Sequence, residues 1–478
     1  MCHIPSDGKN LYWQAGFMKA KFKNLLRDSA LFAAGSAGSR LILFALVPLY
    51  THCLSPEEYG TSDLILTIAR LLIPVVTLMT SCGILRFGLM KTVRRENVAA
   101  TGAAVWLFSV AALTALTPLS GLYRAVYEWR WYLFLCASAG GAVSLLFSYM
   151  KVKNQNRLYA AMGVLQTAVF ACLNVLFTAV LRAGIQGVLL ANIAAYVLAA
   201  SLTFGLAHVG RDIRKGRLEG KLSKQMLAFS TPLILHELSW WTLQSAGKLM
   251  VASIAGAPAL GLYTAATKVP AVLNTLTSIF NQAWGISSVR EMESTNAADF
   301  YSQIFDLYSA AVFGAGIFIT VIIRPFMGIF VGGSFSGAWQ YVPLLLVGAV
   351  FCAIAAFFDP LFSALRKPVS STLYTMTGAA VNIAVGCVLI PRLGVWGAAI
   401  GTTAAYVLLA CLKIRGVKRY LAFEPNWHVY LTNAAIMLLI GAAALWNWQM
   451  LPLSGFACLA YVWNNRVTVK RLFHALEK

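Results

Sequence analysis

The stretch "HELSWWTLQSAGK" at 236–248 places a glutamate and a lysine inside a long apolar run. Eleven positions at about 100° each make three turns and a small remainder, so on a helix Glu237 and Lys248 share one face, roughly 16 Å apart. Five cations stand within such runs: Arg40, Arg70, Arg86, Lys248 and Lys268. A charge in hydrocarbon costs about 3 kcal/mol or more, so these side chains should face a bundle interior or a wet cavity. Arginine offers phosphate a bidentate fork and lysine a point charge. Cations in excess of buried anions therefore favour an anionic, phosphate-bearing ligand over a cationic one. The rival reading is structural pairing with Glu237, Asp63 or Asp359, and for Arg86, snorkelling to the membrane interface.

Glu237 has three readings: pairing with Lys248 through a bridging group, capping a helix break after Pro232, or titrating with His236 in a proton relay. Trp240 and Trp241 are mid-run; either packs in the core or stacks on a sugar ring. Asp63, just after Gly60, reads as interfacial, and Asp306 as solvated. The nine cysteines are scattered without a CxxC pair and read as buried free thiols, and no metal site or cofactor is expected.

What positions these residues follows from composition. The 478 residues are 59% hydrophobic and 12% charged, with mean hydropathy +0.71. Charged residues normally make up about a quarter of a soluble domain. Apolar runs long enough to cross a bilayer recur throughout, which predicts an all-α polytopic membrane protein with about fourteen transmembrane helices. Six fall within 29–208, six within 227–415, and a final pair at 428–446 and 450–463. With the amino terminus in the cytoplasm, cytoplasmic segments hold 28 Lys/Arg and the opposite side 5. That bias predicts cytoplasmic amino and carboxyl termini. Lys413 is counted here with the cytoplasmic group, and Lys19, Lys21, Lys23 and Arg27 precede an uncleaved first helix. The net charge of +21 sits in short connectors rather than in a patch, which argues against nucleic acid as a partner. Connectors this short leave no room for a soluble catalytic domain.

The halves echo each other. "RAGIQGVLLANIAAYVLAA" at 182–200 matches "RLGVWGAAIGTTAAYVLLA" at 392–410, pairing Arg182 with Arg392, Gly184 with Gly394 and Gly187 with Gly397. "SPEEYG" at 55–60 and "GAPALG" at 256–261 each open a long helix that contains a proline. An even number of helices separates the copies, which predicts a parallel repeat about an axis along the membrane normal, a plan known among transporters. The expected organisation is a cytoplasmic segment 1–28, a six-helix lobe 29–208, a basic linker 209–226, a second lobe 227–415, and an extra helix pair with a basic tail at 416–478. A central cavity lies between the lobes.

Four stretches, "PLYTHCLSPEEYGTSDL" at 48–64, "CGILRFG" at 82–88, the segment 230–284 around "HELSWWTLQSAGKLM", and "GVWGAAIGTTAAYVL" at 394–408, together resemble the polysaccharide-transporter family. These are the O-antigen-type lipid-linked oligosaccharide flippases of the multidrug/oligosaccharidyl-lipid/polysaccharide exporter superfamily. The resemblance spans roughly 29–415. It implies alternating access that carries an undecaprenyl-pyrophosphate-linked glycan from the cytoplasmic to the periplasmic leaflet of the bacterial inner membrane. It also implies coupling to a proton or sodium gradient and association with polysaccharide assembly enzymes. Many relatives carry an acidic residue immediately before the basic one in the seventh helix, where this chain has Gly247-Lys248. The last helix pair resembles the fourteen-helix lipid II flippases, the rival within the superfamily. A multidrug exporter would want buried acids rather than cations. A membrane glycan polymerase or ligase would want a substantial outer loop carrying Arg, His or Asp.

Overall fold

The computed structural model describes residues 38, 40–117, 127–292, 297–446, 455–456 and 458–466, all helical or connecting. The amino-terminal segment 1–28, the start of the first helix, and the basic carboxyl tail lie outside these residues. The elements are α1 (Arg40–Cys53), α2 (Pro56–Thr77), α3 (Thr80–Gly88), α4 (Arg95–Leu116), α5 (Arg130–Val152), α6 (Asn156–Asn174) and α7 (Gly184–Leu206). A short α8 (Val209–Lys215) leads into α9 (Gly220–Met250), α10 (Ala257–Glu291) and α11 (Ala297–Phe330). Next come α12 (Val342–Phe357), α13 (Asp359–Ala364), α14 (Pro368–Leu393), α15 (Val395–Lys418) and α16 (Trp427–Trp446), and residues 455–456 and 458–466 are helical as well. Among the described residues there is no strand, and ten helical segments are long and apolar enough to cross a membrane. The protein is an all-α, multi-pass membrane protein. The long helices α9 and α10 are not among those ten; they are the ones that carry Glu237, Lys248 and Lys268.

Several boundaries depart from the sequence expectation. The run 61–89, expected as one helix, is two, broken at Leu78 and Met79, which both take left-handed conformations (φ 45° and 53°). Leu78 N–H reaches Val75 O and Met79 N–H reaches Pro74 O, the paired bonds that end a helix, here without the usual glycine. The basic connector at 209–226 is largely helical, holding α8 and the first turns of α9.

The halves meet where α2 crosses α10. A Cβ added to Gly60 would lie 2.5 Å from Ala257 O and 2.7 Å from Gly261 N, while one added to Gly261 would overlap the Pro56 carbonyl. The contact is reciprocal: Pro56 stands to Gly60 as Ala257 stands to Gly261, at one offset of 201. Such self-complementary contact is what a twofold relation between two surfaces produces. At the opposite end, Asn97 Nδ2 donates to Glu219 Oε1 at 2.5 Å and Arg217 N–H to Asn97 Oδ1 at 2.9 Å, tying the basic connector to α4. Behind α10 an aromatic core stiffens the second half: Trp284 stacks on Phe357 at 4.7 Å and donates to its carbonyl at 2.9 Å.

Candidate functional site

The centre of the charged site is Asp63, which sits seven residues beyond Pro56 at the start of α2, about 10 Å along that helix and nearly one turn past Gly60. Its Oδ2 accepts from Lys248 Nζ at 2.6 Å and its Oδ1 from Lys268 Nζ at 3.0 Å. Thr264 Oγ1 adds a bond to Oδ2 at 3.3 Å. Thr264 occupies the position equivalent to Asp63 at the 201 offset, so the two meet at the crossing. The acid belongs to the first half of the chain and both lysines to the second. Their side chains are 14%, 16% and 28% exposed for Asp63, Lys248 and Lys268, and the Tyr59 ring lies 5.9 Å from Lys268 Nζ. Two ammonium groups against one carboxylate leave a net positive charge. Asp63 is therefore a buried, ion-paired carboxylate, the anion that two buried cations require.

Arg70 lies two turns beyond Asp63 on the same face of α2 and is exposed. Arg40, also exposed, donates from Nη1 to Ser278 Oγ at 2.7 Å, reaching from α1 in the first half to α10 in the second. Arg86 neither joins this cluster nor stands alone: its guanidinium lies 4.1 Å from the Phe229 ring centroid, at the contact of α3 with α9.

On α9, Glu237, Gln244 and Lys248 fall within about 40° of one another. Glu237 and Gln244 are exposed, while Lys248 is committed to Asp63, so the glutamate does not pair with it directly. The side chain of His236 lies outside the described residues, as do those of Trp446 and Trp448. Trp241 Nε1 donates to Thr67 O at 3.3 Å, a further contact between the halves. Trp240 is half-buried and lies 5.3 Å from Lys413 Nζ.

Lys413 is the residue the sequence misplaces. It is fully buried and pairs with Asp359 at 2.5 Å, whose Oδ1 also accepts from Ser371 Oγ at 2.6 Å. It is therefore a packed, paired charge rather than the solvated flank that the sequence suggests. A cation at the end of an apolar run reads as a flank; α15 extends to Lys418 and carries Lys413 inside. The isolated acid in "FFDPLF" was the signal, since a buried carboxylate must find a cation. Asp306 likewise has a structural role, with Oδ1 accepting from Asn426 N–H at 2.9 Å ahead of α16. Among the described residues no group of three or more His, Cys, Asp or Glu could hold a metal ion.

Comparison with known proteins bears on this geometry. No curated protein matches the sequence. The chain superposes on the lipid II flippase MurJ in an inward closed conformation with TM-score 0.70 and 12% identity, covering 93% of this chain and 100% of that one. An inward-facing multidrug resistance MATE family transporter of the MOP superfamily gives 0.66 and 16%, covering 80% and 94%. A mutant of the Vibrio cholerae MATE transporter VcmN gives 0.57 and 14%, covering 84% and 98%. These solved proteins are transporters, not enzymes, and this chain shares their fold. Residues 25–285 match a family described as polysaccharide biosynthesis protein. With more than half its length matched, the chain belongs to the polysaccharide biosynthesis protein family.

Proposed function

We propose that this chain is a flippase that moves an undecaprenyl-pyrophosphate-linked oligosaccharide across the bacterial cytoplasmic membrane by alternating access, for surface polysaccharide synthesis. The reading takes 29–208 and 227–415 as two six-helix lobes related by a parallel repeat, with 209–226 as linker and 416–478 as an added helix pair. Both termini are cytoplasmic in this reading. The reciprocal Gly60–Gly261 crossing supports the repeat. So do the like positive φ values of Gly184 and Gly394, 55° and 54°.

The observation that carries the proposal is Asp63 of one half ion-paired to Lys248 and Lys268 of the other. Separating the halves at that end strips both lysines of their counterion, which is costly at low dielectric. A bound pyrophosphate supplies replacement anions, so only the loaded carrier opens there. Arg70 and Arg40, exposed toward the opposite end, take the phosphates first. Glu237 sits deeper on the same α9 face, where its ionisation weakens the positive field and favours release. Trp240 and Trp241 offer surfaces for the sugar. The full-length overlap with the lipid II flippase keeps a lipid II-type substrate as the second reading; it presents the same pyrophosphate.

The test is genetic. Deleting the gene should cause one lipid-linked glycan to accumulate on the cytoplasmic leaflet, and re-expression should clear it. Accumulation of no lipid-linked glycan, with altered resistance to cationic drugs instead, would reject the proposal.

A further inference from the structure

A cavity lies among α3, α4, α5, α7 and α8, and no residue of the charged cluster lines it. It has a volume of about 400 Å³ and nearly all its lining is apolar, from Trp106 of α4, Leu145 of α5 and Phe204 of α7 to Val209 and Ile213 of α8. Along α4 it runs from Ala99 to Trp106, about 10 Å of helix. Its cover is α8, whose Val209 and Ile213 are four residues apart and share a face. Arg211, Arg214 and Lys215 project from the other side of that helix and are exposed.

The cover is fixed in place. Asp212 Oδ2 accepts from Lys153 Nζ at 2.8 Å and from Tyr149 O–H at 3.0 Å, and Lys153 Nζ also donates to Ala207 O at 2.6 Å. Water is a poor occupant, because an ordered water needs two to four polar partners. Leaving such a void empty forfeits the contacts of every wall residue. At the end of a transmembrane bundle the apolar solvent at hand is the acyl chain. A basic amphipathic helix lying at that level attracts anionic headgroups. Phe204 of the lining is 47% exposed.

We propose that the cavity holds one acyl chain of an anionic phospholipid, with the headgroup at the basic side of α8, as a resident part of the first half. The occupant is a membrane phospholipid and not the transported lipid, whose phosphates the proposed path engages at Arg70 and Arg40, in a different part of the molecule.

Native mass spectrometry of the protein, extracted from membranes of mixed phosphatidylglycerol and phosphatidylethanolamine, tests this. One phosphatidylglycerol should be retained per chain. Ala103→Phe and Ala142→Phe, which fill the cavity, should each lower retention at least fivefold. Replacing Arg211, Arg214 and Lys215 by Gln should keep a bound phospholipid but abolish the anionic preference. Should the filling variants fail to fold, brominated-chain phosphatidylglycerol should quench the emission component that Trp106→Phe removes. Unchanged retention in folded filling variants, absent quenching, or a polyprenyl lipid displaced by the same substitutions would overturn the proposal.

Discussion

Asp63 and Lys413 face the same requirement, since a charge within a membrane bundle needs an opposite charge beside it, and the two pairs meet it differently. Asp63 joins the two halves of the chain, whereas Lys413 and Asp359 both lie in the second half. The first pair breaks if the halves part; the second stays intact in any rigid movement of that half. Lys413 is fully buried, so Asp359→Asn should leave its charge uncompensated and destabilise the protein by about 3–5 kcal/mol. Adding Lys413→Met should recover most of that loss, because removing both charges is far less costly than removing one. Thermal unfolding of the purified single and double variants measures the difference. Simply additive losses would show that the two residues are not coupled.

At the scale of elements, the membrane-crossing helices follow from apolar runs and the connectors from charge, so nearly all helices were legible in the sequence. The exceptions have local causes. The break at Leu78–Met79 uses a helix-ending geometry normally announced by glycine, and two bulky apolar residues conceal it. The end of α15 was hidden because Lys413, buried inside the bundle, looks like a lysine beside one, and the start of α9 because exposed Lys221 and Lys224 read as connector. The site was half legible: the cations stand out against the apolar background, but which acid answers them depends on how α2 crosses α10. The α8 clasp makes a prediction here. Burial alone would raise the Asp212 carboxyl, but the bonds from Lys153 and Tyr149 and the charge of Lys153 outweigh it and hold it below its ordinary value. A carboxyl with a depressed folded value contributes stability above its unfolded value, about 3.9, and loses it as pH falls through the folded one. The connector should therefore resist proteolysis equally at pH 7 and pH 5. Asp212→Asn should expose it to cleavage at both. Resistance in the variant equal to wild type would remove the clasp from the account.

For the whole molecule, the reciprocal glycine crossing and the Asp63 cluster join the two halves, while Arg70, Arg40, Glu237 and Gln244 are exposed; in the proposed function the first are the closed end and the second the path beyond it. The central claim is that Asp63 keeps that end shut until an anion replaces it. Gln244 is exposed on the α9 face between Glu237 and Lys248 and makes no part of the ion-paired cluster, which makes it a suitable reporter. In a chain whose native cysteines are replaced, Gln244→Cys should react slowly with an impermeant maleimide applied from the Gly60–Gly261 side. Adding Asp63→Asn removes the ion pairs that opening must break, so the labelling rate should rise by about tenfold or more, corresponding to about 1.4 kcal/mol. An unchanged rate, in protein of normal abundance and fold, would contradict the account.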